Sequence, residues 1–178
     1  AVQFLFLGLV GVSVALSSRG VGAQAKRGLW IFAAGMLVTL ATWVTFPTEF
    51  VKFGVLHFIG VAVPLVAMLR GKRCLALVLA VGSFFLGRIL GGITIGSAWF
   101  FWLGLRYPGF SSFDYFPIFP WIAVPLVGLV LGETLYAERR PTPLAVLAKV
   151  PGLTAMGMHS LAIYLLHQPV LYFTLWGL

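Results

Sequence analysis

The sequence contains few charged residues and almost no cysteine. Asp, Glu, Lys and Arg make up 9% of its 178 residues, whereas soluble domains carry roughly 25%. Cys74 is the single cysteine, which excludes a disulfide framework and a thiolate cluster around a metal. A chain with so little charge is not an ordinary soluble domain.

Common phosphate-binding and hydrolase motifs are also absent. The sequence has no GxxxxGK[ST] loop, no GxGxxG turn and no GxSxG elbow for a nucleophilic serine. Its histidines form no HxxxH or HExxH pair, and roughly 12 Å of helix rise separates His159 from His167. We therefore expect neither a metal site nor a soluble-type serine hydrolase.

Long apolar runs dominate the chain. Hydrophobic residues make up 61% of it. Six runs approach or reach the roughly 17–25 residues that cross a bilayer as a helix, and they lie at about 1–17, 28–46, 53–69, 74–95, 116–136 and 159–177. The sequence thus predicts an all-α, polytopic membrane helix bundle of about six transmembrane helices, in a single domain over residues 1–178.

The positive charge is concentrated in alternate loops. Most Arg and Lys residues lie in the loops at 18–27, 70–73 and 137–158. The positive-inside rule places these loops in the cytoplasm, so Leu178 lies outside. Membrane topology explains the net charge of +8 better than nucleic-acid binding does. We expect an integral protein of a prokaryotic cytoplasmic membrane.

Residues 89–105 are apolar enough for a further crossing. Such a crossing would move loop 137–158 to the outside and break the alternation of charge. We therefore predict that the fourth helix ends between Gly91 and Gly96. An interfacial segment follows, anchored by an aromatic belt of Trp99, Phe100, Phe101 and Trp102.

Several polar residues fall in the middle-to-outer half of this bundle: His57, Arg88, Asp114, His167 and Gln168. Ionisable groups at such depth are costly and usually face the bundle interior or a water-filled cavity. We predict that all of them except Arg88 line one cavity. Structural interpretations stay open: a helix cap for His57, snorkelling for Arg88, a turn at Asp114, and interhelical hydrogen bonds for His167 and Gln168.

Gly128 and Gly132 form a GxxxG pattern in an apolar run. This spacing lets two helices approach closely. We expect the face that carries it to contact a second copy of the chain or a larger membrane complex, while the lipid bilayer surrounds the remainder.

Four stretches together resemble one family. They are FLFLGLVGVSVALSSRG (4–20), EFVKFGVLHFIGVA (49–62), SSFDYFPIFPWIAVPLVGLVLG (111–132) and GMHSLAIYLLHQPVL (157–171). In this order they resemble the small bacterial and archaeal members of the heparan-alpha-glucosaminide N-acetyltransferase catalytic-domain family. The resemblance covers nearly the whole chain.

The resemblance implies a multi-pass transmembrane acyltransferase. Our first hypothesis is transfer from cytoplasmic acetyl-CoA or another acyl-CoA to an amino sugar or similar acceptor on the outer face. The catalytic residues would be His57, Asp114 and His167. Substrate binding would involve Arg88, Trp121 and Gln168. The phosphates of CoA would bind Arg19, Arg27, Arg70 and Arg73.

Two other functions stay open. Family members normally open with a further helix that carries a His and often a nearby Asp, and we interpret Ala1 as a truncated beginning after it. With that helix the bundle would have seven crossings. Without it, the chain suits a non-catalytic membrane subunit that packs against larger partners. A small-solute transporter is the third hypothesis, although the two halves contain no corresponding pair of broken helices.

Overall fold

The computed structural model of the protein describes residues 2–136 and Thr174. The helices in the first range are α1 (Val2–Leu16), α2 (Val21–Thr45), α3 (Val55–Met68), α4 (Arg73–Leu90), α5 (Ile118–Trp121) and α6 (Ala123–Leu135), with a 3₁₀ helix at Ala98–Leu103. Extended pairing in the described residues is limited to isolated bridges. The all-α prediction is confirmed. Ala1–Ala137 form one compact unit, and the prediction of a single domain over 1–178 stays a prediction.

The helices follow the apolar runs closely, with one correction. We predicted a loop at 18–27, but α2 begins at Val21, so Lys26 and Arg27 lie within its first turns. Long cationic side chains can place their charge in water while their stems cover apolar surface, so a helix can continue past the end of its apolar run. The run at 159–177 and loop 137–158 lie outside the described residues, except for Thr174.

The ambiguous stretch at 89–105 does not form another crossing. Helix α4 ends at Leu90 and is capped at Gly91, and the aromatic residues after it lie in the 3₁₀ helix Ala98–Leu103. A 3₁₀ helix rises about 2 Å per residue, so this element is far too short for a core about 30 Å thick. Trp99 is 82% exposed, as expected for an interfacial anchor.

The described bundle exposes many large apolar side chains on its outside and buries a few polar ones within an otherwise apolar core. Val21–Thr45, Arg73–Leu90 and Ile118–Leu135 are each long and apolar enough to cross a membrane, and α1 and α3 are shorter apolar helices. Leu29, Val44 and Val78 are 69%, 72% and 67% exposed, whereas Gln24 and His57 are buried. Exposed apolar helix faces of this size are stable in contact with lipid and not with water, so the protein is an integral membrane protein.

Close helix contacts organise the core into two pairs, α1 with α6 and α2 with α3. A Cβ on Gly128 would overlap the carbonyl oxygen of Gly8, and a Cβ on Gly28 would overlap that of Gly60. The face carrying Gly128 and Gly132 is therefore covered by α1 of the same chain. Oligomerisation stays a prediction, but it would need a face other than this one.

The ends of the helices define two ends of the bundle. At the arginine-rich end, the guanidinium of Arg70 donates to the carbonyls of Ser17 and Arg19, and Glu133 pairs with Arg73 and accepts from the N–H of Gly71 at 2.7 Å. At the other end, called the Asp114 end, residues 46–54 contact residues 112–116. The loops around 18–20 and 70–73 thus share one end, as their charge predicted. Which end faces the cytoplasm stays a prediction.

Candidate functional site

Helix α3 begins at the Asp114 end, and two candidate residues form its cap. Gly54 precedes the helix in an extended conformation. Its N–H donates to Nδ1 of His57 at 3.3 Å, and the N–H of Val55 donates to Oδ2 of Asp114 at 2.9 Å. The first N–H groups of a helix have no partner within it, so His57 and Asp114 each satisfy one. The sequence-based placement of these two residues at one level is confirmed.

Both ring nitrogens of His57 have partners within the protein. Thr39 Oγ1 lies 3.3 Å from Nε2 of His57 and donates its single proton to the carbonyl of Val51 at 2.7 Å. Nε2 must then carry the proton and donate to Thr39, while Nδ1 accepts from Gly54. The two bonds agree on one neutral tautomer. The imidazole is 2% exposed, so it has no nitrogen open to a ligand in this state.

Small and aromatic neighbours complete the surroundings of His57. The rings of Phe32 and Phe53 lie 5.1 Å and 5.6 Å from the imidazole, between centroids. A Cβ on Gly35 would lie 3.0 Å from two ring atoms of His57. Helix α2 therefore contacts the imidazole through Phe32, Gly35 and Thr39, and this packing fixes the ring.

Asp114 differs from His57 because its carboxylate keeps unused capacity. Oδ2 binds Val55, whereas Oδ1 has no hydrogen-bond partner among residues 2–136. Burial raises the pKa of Asp114 above its ordinary value of 3.8, and the N–H of Val55 opposes part of this shift. A Cβ on Gly54 would overlap the carboxylate. A half-buried carboxylate with one open oxygen can accept a proton or bind an amine.

An aromatic layer surrounds the ammonium of Lys52 beside this site. Nζ of Lys52 lies 5.4, 5.3 and 5.0 Å from the ring centroids of Phe50, Tyr107 and Phe110 and donates to the hydroxyl of Tyr107 at 2.9 Å. Cation–π contacts at such distances stabilise a cation that has lost water. Lys52 therefore holds the segment before α3 against the loop that carries Tyr107.

The aromatic layer continues to Tyr115. Its ring lies 4.7 Å from that of Phe110, and its hydroxyl donates to the carbonyl of Phe101 at 2.6 Å. Burial raises the pKa of Tyr115 to about 12, against the opposing charge of Arg106. The phenol thus stays protonated at neutral pH and acts as a hydrogen-bond donor.

The other predicted substrate-binding residues lie elsewhere or outside the described part. Arg88 is exposed in the last turn of α4. Trp121 packs between Phe4 and Phe116, with centroid distances of 5.3 and 4.8 Å. The structure gives neither of them a contact with His57 or Asp114. His167 and Gln168 lie outside the described residues, so the shared cavity that we predicted for them stays a prediction.

The four arginines predicted to bind CoA separate into two pairs. Arg70 and Arg73 hold helix ends through the contacts given above. Arg19 and Arg27 are exposed and line an open cavity of about 580 Å³, together with Ser13 and Ser17. Their guanidinium groups make no hydrogen bond with residues 2–136, so this pair remains able to bind an anion.

A comparison with protein families decides the affiliation of the chain. The family model described as "Heparan-alpha-glucosaminide N-acetyltransferase, catalytic" matches residues 1–169. The chain belongs to this family. No curated protein and no solved structure matches the chain. Membership in the heparan-alpha-glucosaminide N-acetyltransferase family indicates a transmembrane N-acetyltransferase and confirms the resemblance seen in the sequence.

Sequence reasoning missed three polar residues of this N-acetyltransferase family member. Thr39 binds the predicted histidine from the middle of an apolar helix, and Lys52 is held by aromatic rings. Gln24 is fully buried, and neither its amide nitrogen nor its amide oxygen has a hydrogen-bond partner among residues 2–136. The available signal for Thr39 was a polar residue inside an apolar run, and for Lys52 it was the neighbouring Phe50 and Phe53. Gln24 lies in the predicted loop 18–27, where no such signal was present.

A His57→Ala substitution is expected to lower the free energy of unfolding by about 1–3 kcal/mol, because the buried N–H of Gly54 loses its acceptor. His57→Asn should recover part of the loss, since the Asn side-chain oxygen can accept from the same N–H. Thermal unfolding of both variants in one detergent measures the difference. Equal stability of His57→Ala and wild type would contradict the capping role.

Proposed function

We propose that this chain transfers an acyl group from acyl-CoA, bound at the arginine-rich end, to an amine acceptor such as an amino sugar at the Asp114 end. The family match over residues 1–169 carries this proposal. In the predicted topology the donor binds from the cytoplasm and the acceptor from the outside.

The donor end has the chemistry for CoA. The phosphates of CoA are anionic, and paired guanidinium groups bind phosphate through several charge-assisted hydrogen bonds. Arg19 and Arg27 supply such a pair beside an open cavity. Gln24 precedes Arg27 on α2, but its side chain is fully buried and does not line this cavity.

The acceptor end has the chemistry for an amine. An amine attacks the thioester carbonyl only after it has lost a proton, and the products are an amide and the free thiol of CoA. Asp114 is the described residue best suited to take this proton, because its pKa is raised and one oxygen is open. His57 would hold the start of α3 in place unless Thr39 or Gly54 releases one of its nitrogens.

The separation of the two ends favours an extended donor. Arg27 and Thr39 are twelve residues apart on α2, which corresponds to about 18 Å of helix rise. The phosphates would therefore bind far from Asp114. The long phosphopantetheine arm is the part of acyl-CoA that suits this separation.

One observation favours the alternative of a non-catalytic membrane subunit. The imidazole of His57, which we predicted to be catalytic, is buried and bonded on both nitrogens. A histidine that only caps a helix needs no substrate. Measured transfer, or its absence in a protein that binds CoA, separates the two functions.

Replacing both Arg19 and Arg27 with Gln is expected to weaken CoA binding by roughly 10–100-fold, because charge-assisted bonds to phosphate are lost. Isothermal titration of the detergent-solubilised protein with CoA measures this, and the loss should shrink at high salt.

The matched control replaces Lys26 and Lys72 with Gln, which removes the same charge from the same end but from outside the cavity lining. The affinity of this control for CoA should stay within about threefold of wild type, since exposed charges that do not contact the phosphates act on them only through screening solvent. An equal effect of both double variants would reject a defined phosphate site. A wild type that binds no CoA would reject the donor assignment.

A further inference from the structure

A second concave surface lies within Ala1–Ala137, and Asp114 is not among the residues that line it. A groove of about 650 Å³ runs between α1, α4 and α6, and every residue that lines it is Gly, Ala, Val, Leu or Phe. Its volume falls within the roughly 300–1,000 Å³ typical of small-molecule sites. The lining offers no hydrogen bond, so only an alkyl chain or similar apolar group suits it.

An exposed arginine lies one helix turn beyond the part of α4 that lines this groove. Leu77, Val81 and Phe84 line the groove from α4, and Arg88 follows Phe84 by one turn on the same helix face. Arg88 is exposed and makes no hydrogen bond or ion pair with residues 2–136. A guanidinium at the end of an apolar groove complements an anionic headgroup attached to an alkyl chain.

The dimensions agree with one leaflet of a bilayer. From Leu77 to Arg88 the helix rises about 16 Å, and one leaflet contributes about half of a hydrocarbon core roughly 30 Å thick. Arg88 lies at the Asp114 end, two residues before α4 ends at Leu90. Its charge is therefore at the level where lipid phosphates are expected.

We propose that this groove binds an alkyl chain of an anionic phospholipid, with the lipid phosphate on Arg88. The inference does not depend on acyl transfer. It gives Arg88 a ligand other than the acceptor that we first assigned to it. Neighbouring lipids without such a partner exchange freely, whereas this lipid stays with the protein during purification.

The first test compares headgroups. Wild type and variants are reconstituted with equal amounts of dioleoyl phosphatidylglycerol and dioleoyl phosphatidylcholine, extracted in mild detergent, and analysed by native mass spectrometry. Wild type should retain one lipid with about a fivefold preference for phosphatidylglycerol, the effect expected of one cation near a membrane surface. Arg88→Gln should lose the preference, and Arg106→Gln, which removes an exposed charge from the same end, should keep it.

The second test fills the groove. A Cβ on Gly8, which lines the groove, meets no atom within 4 Å, so Gly8→Leu should fold and exclude both lipids. Gly82 has equally open space and lies outside the lining, which makes Gly82→Leu the matched control with unchanged retention.

Three results would overturn the proposal. One is equal retention of both lipids by wild type. Another is a double variant, Arg19→Gln with Arg27→Gln, that loses the preference for phosphatidylglycerol while Arg88→Gln keeps it. The lipid headgroup would then lie at the arginine-rich end. The third is unchanged retention in Gly8→Leu.

Discussion

An Asp114→Asn variant is expected to fold at least as stably as wild type and to lose roughly a hundredfold or more in acyl transfer, the usual effect of removing a general base. Asn keeps an oxygen that can accept from the N–H of Val55, a bond that measures 2.9 Å in the wild type. It lacks the charge needed to take a proton from an amine. Transfer from labelled acetyl-CoA to glucosamine, measured alongside thermal unfolding, gives both values.

The pH dependence of stability provides a second measurement on the same variant. Because the pKa of Asp114 is raised in the folded state, the unfolded state binds fewer protons in the window above 3.8. The ionised carboxylate then opposes folding, so wild type loses stability relative to Asp114→Asn as the pH rises through the folded pKa. Below that window the two proteins should be equally stable.

An Asp114→Ala variant distinguishes the helix-capping role of Asp114 from the role of its charge. It removes the acceptor for Val55 as well, so it should lose about 1 kcal/mol of stability in addition to activity. If Asp114→Asn retained full transfer while Asp114→Ala unfolded more easily, Asp114 would be a helix cap alone. The acceptor end of the proposed function would then have to be sought among residues outside 2–136.

Gly128→Val is expected to destabilise the bundle by about 3 kcal/mol or more, at the upper limit for overpacked cores. The added Cβ would overlap the backbone carbonyl of Gly8, and a backbone cannot rotate away as a side chain can. Helices α1 and α6 would have to separate along their length. Size-exclusion chromatography after a temperature series measures the loss of folded protein.

The other side of the same contact supplies the control. Gly8→Ala adds its Cβ where no atom lies within 4 Å, and Ala is the better helix former. Gly8→Ala should therefore be at least as stable as wild type, whereas Gly128→Ala should already be impaired. Equal behaviour of the two alanine variants would show that α1 and α6 are not held at the observed distance.

Sequence patterns predicted the helices well because lipid demands long apolar segments with satisfied backbone groups. They placed His57 and Asp114 together, since depth in a bundle follows from counting residues. They placed the start of α2 too late, because Lys26 and Arg27 interrupt the apolar run without ending the helix.

The roles of the cations could not be predicted. Arg70 and Arg73 lie at a predicted loop like that of Arg19, and Arg73 begins α4. Their partners come from remote positions such as Glu133. Only the folded chain brings these groups together. The same holds for the tautomer of His57, which depends on Thr39 and Gly54 at once.

The contacts of Arg70 and Arg73 also have a mechanical consequence. Through Ser17, Arg19 and Glu133 they join the ends of α1, α3, α4 and α6 at the arginine-rich end. At the Asp114 end, aromatic rings and single hydrogen bonds connect the loops. Loss of the Arg70 guanidinium would therefore separate the end of α3 from the end of α1, and loss of the Arg73 guanidinium would separate the start of α4 from the end of α6.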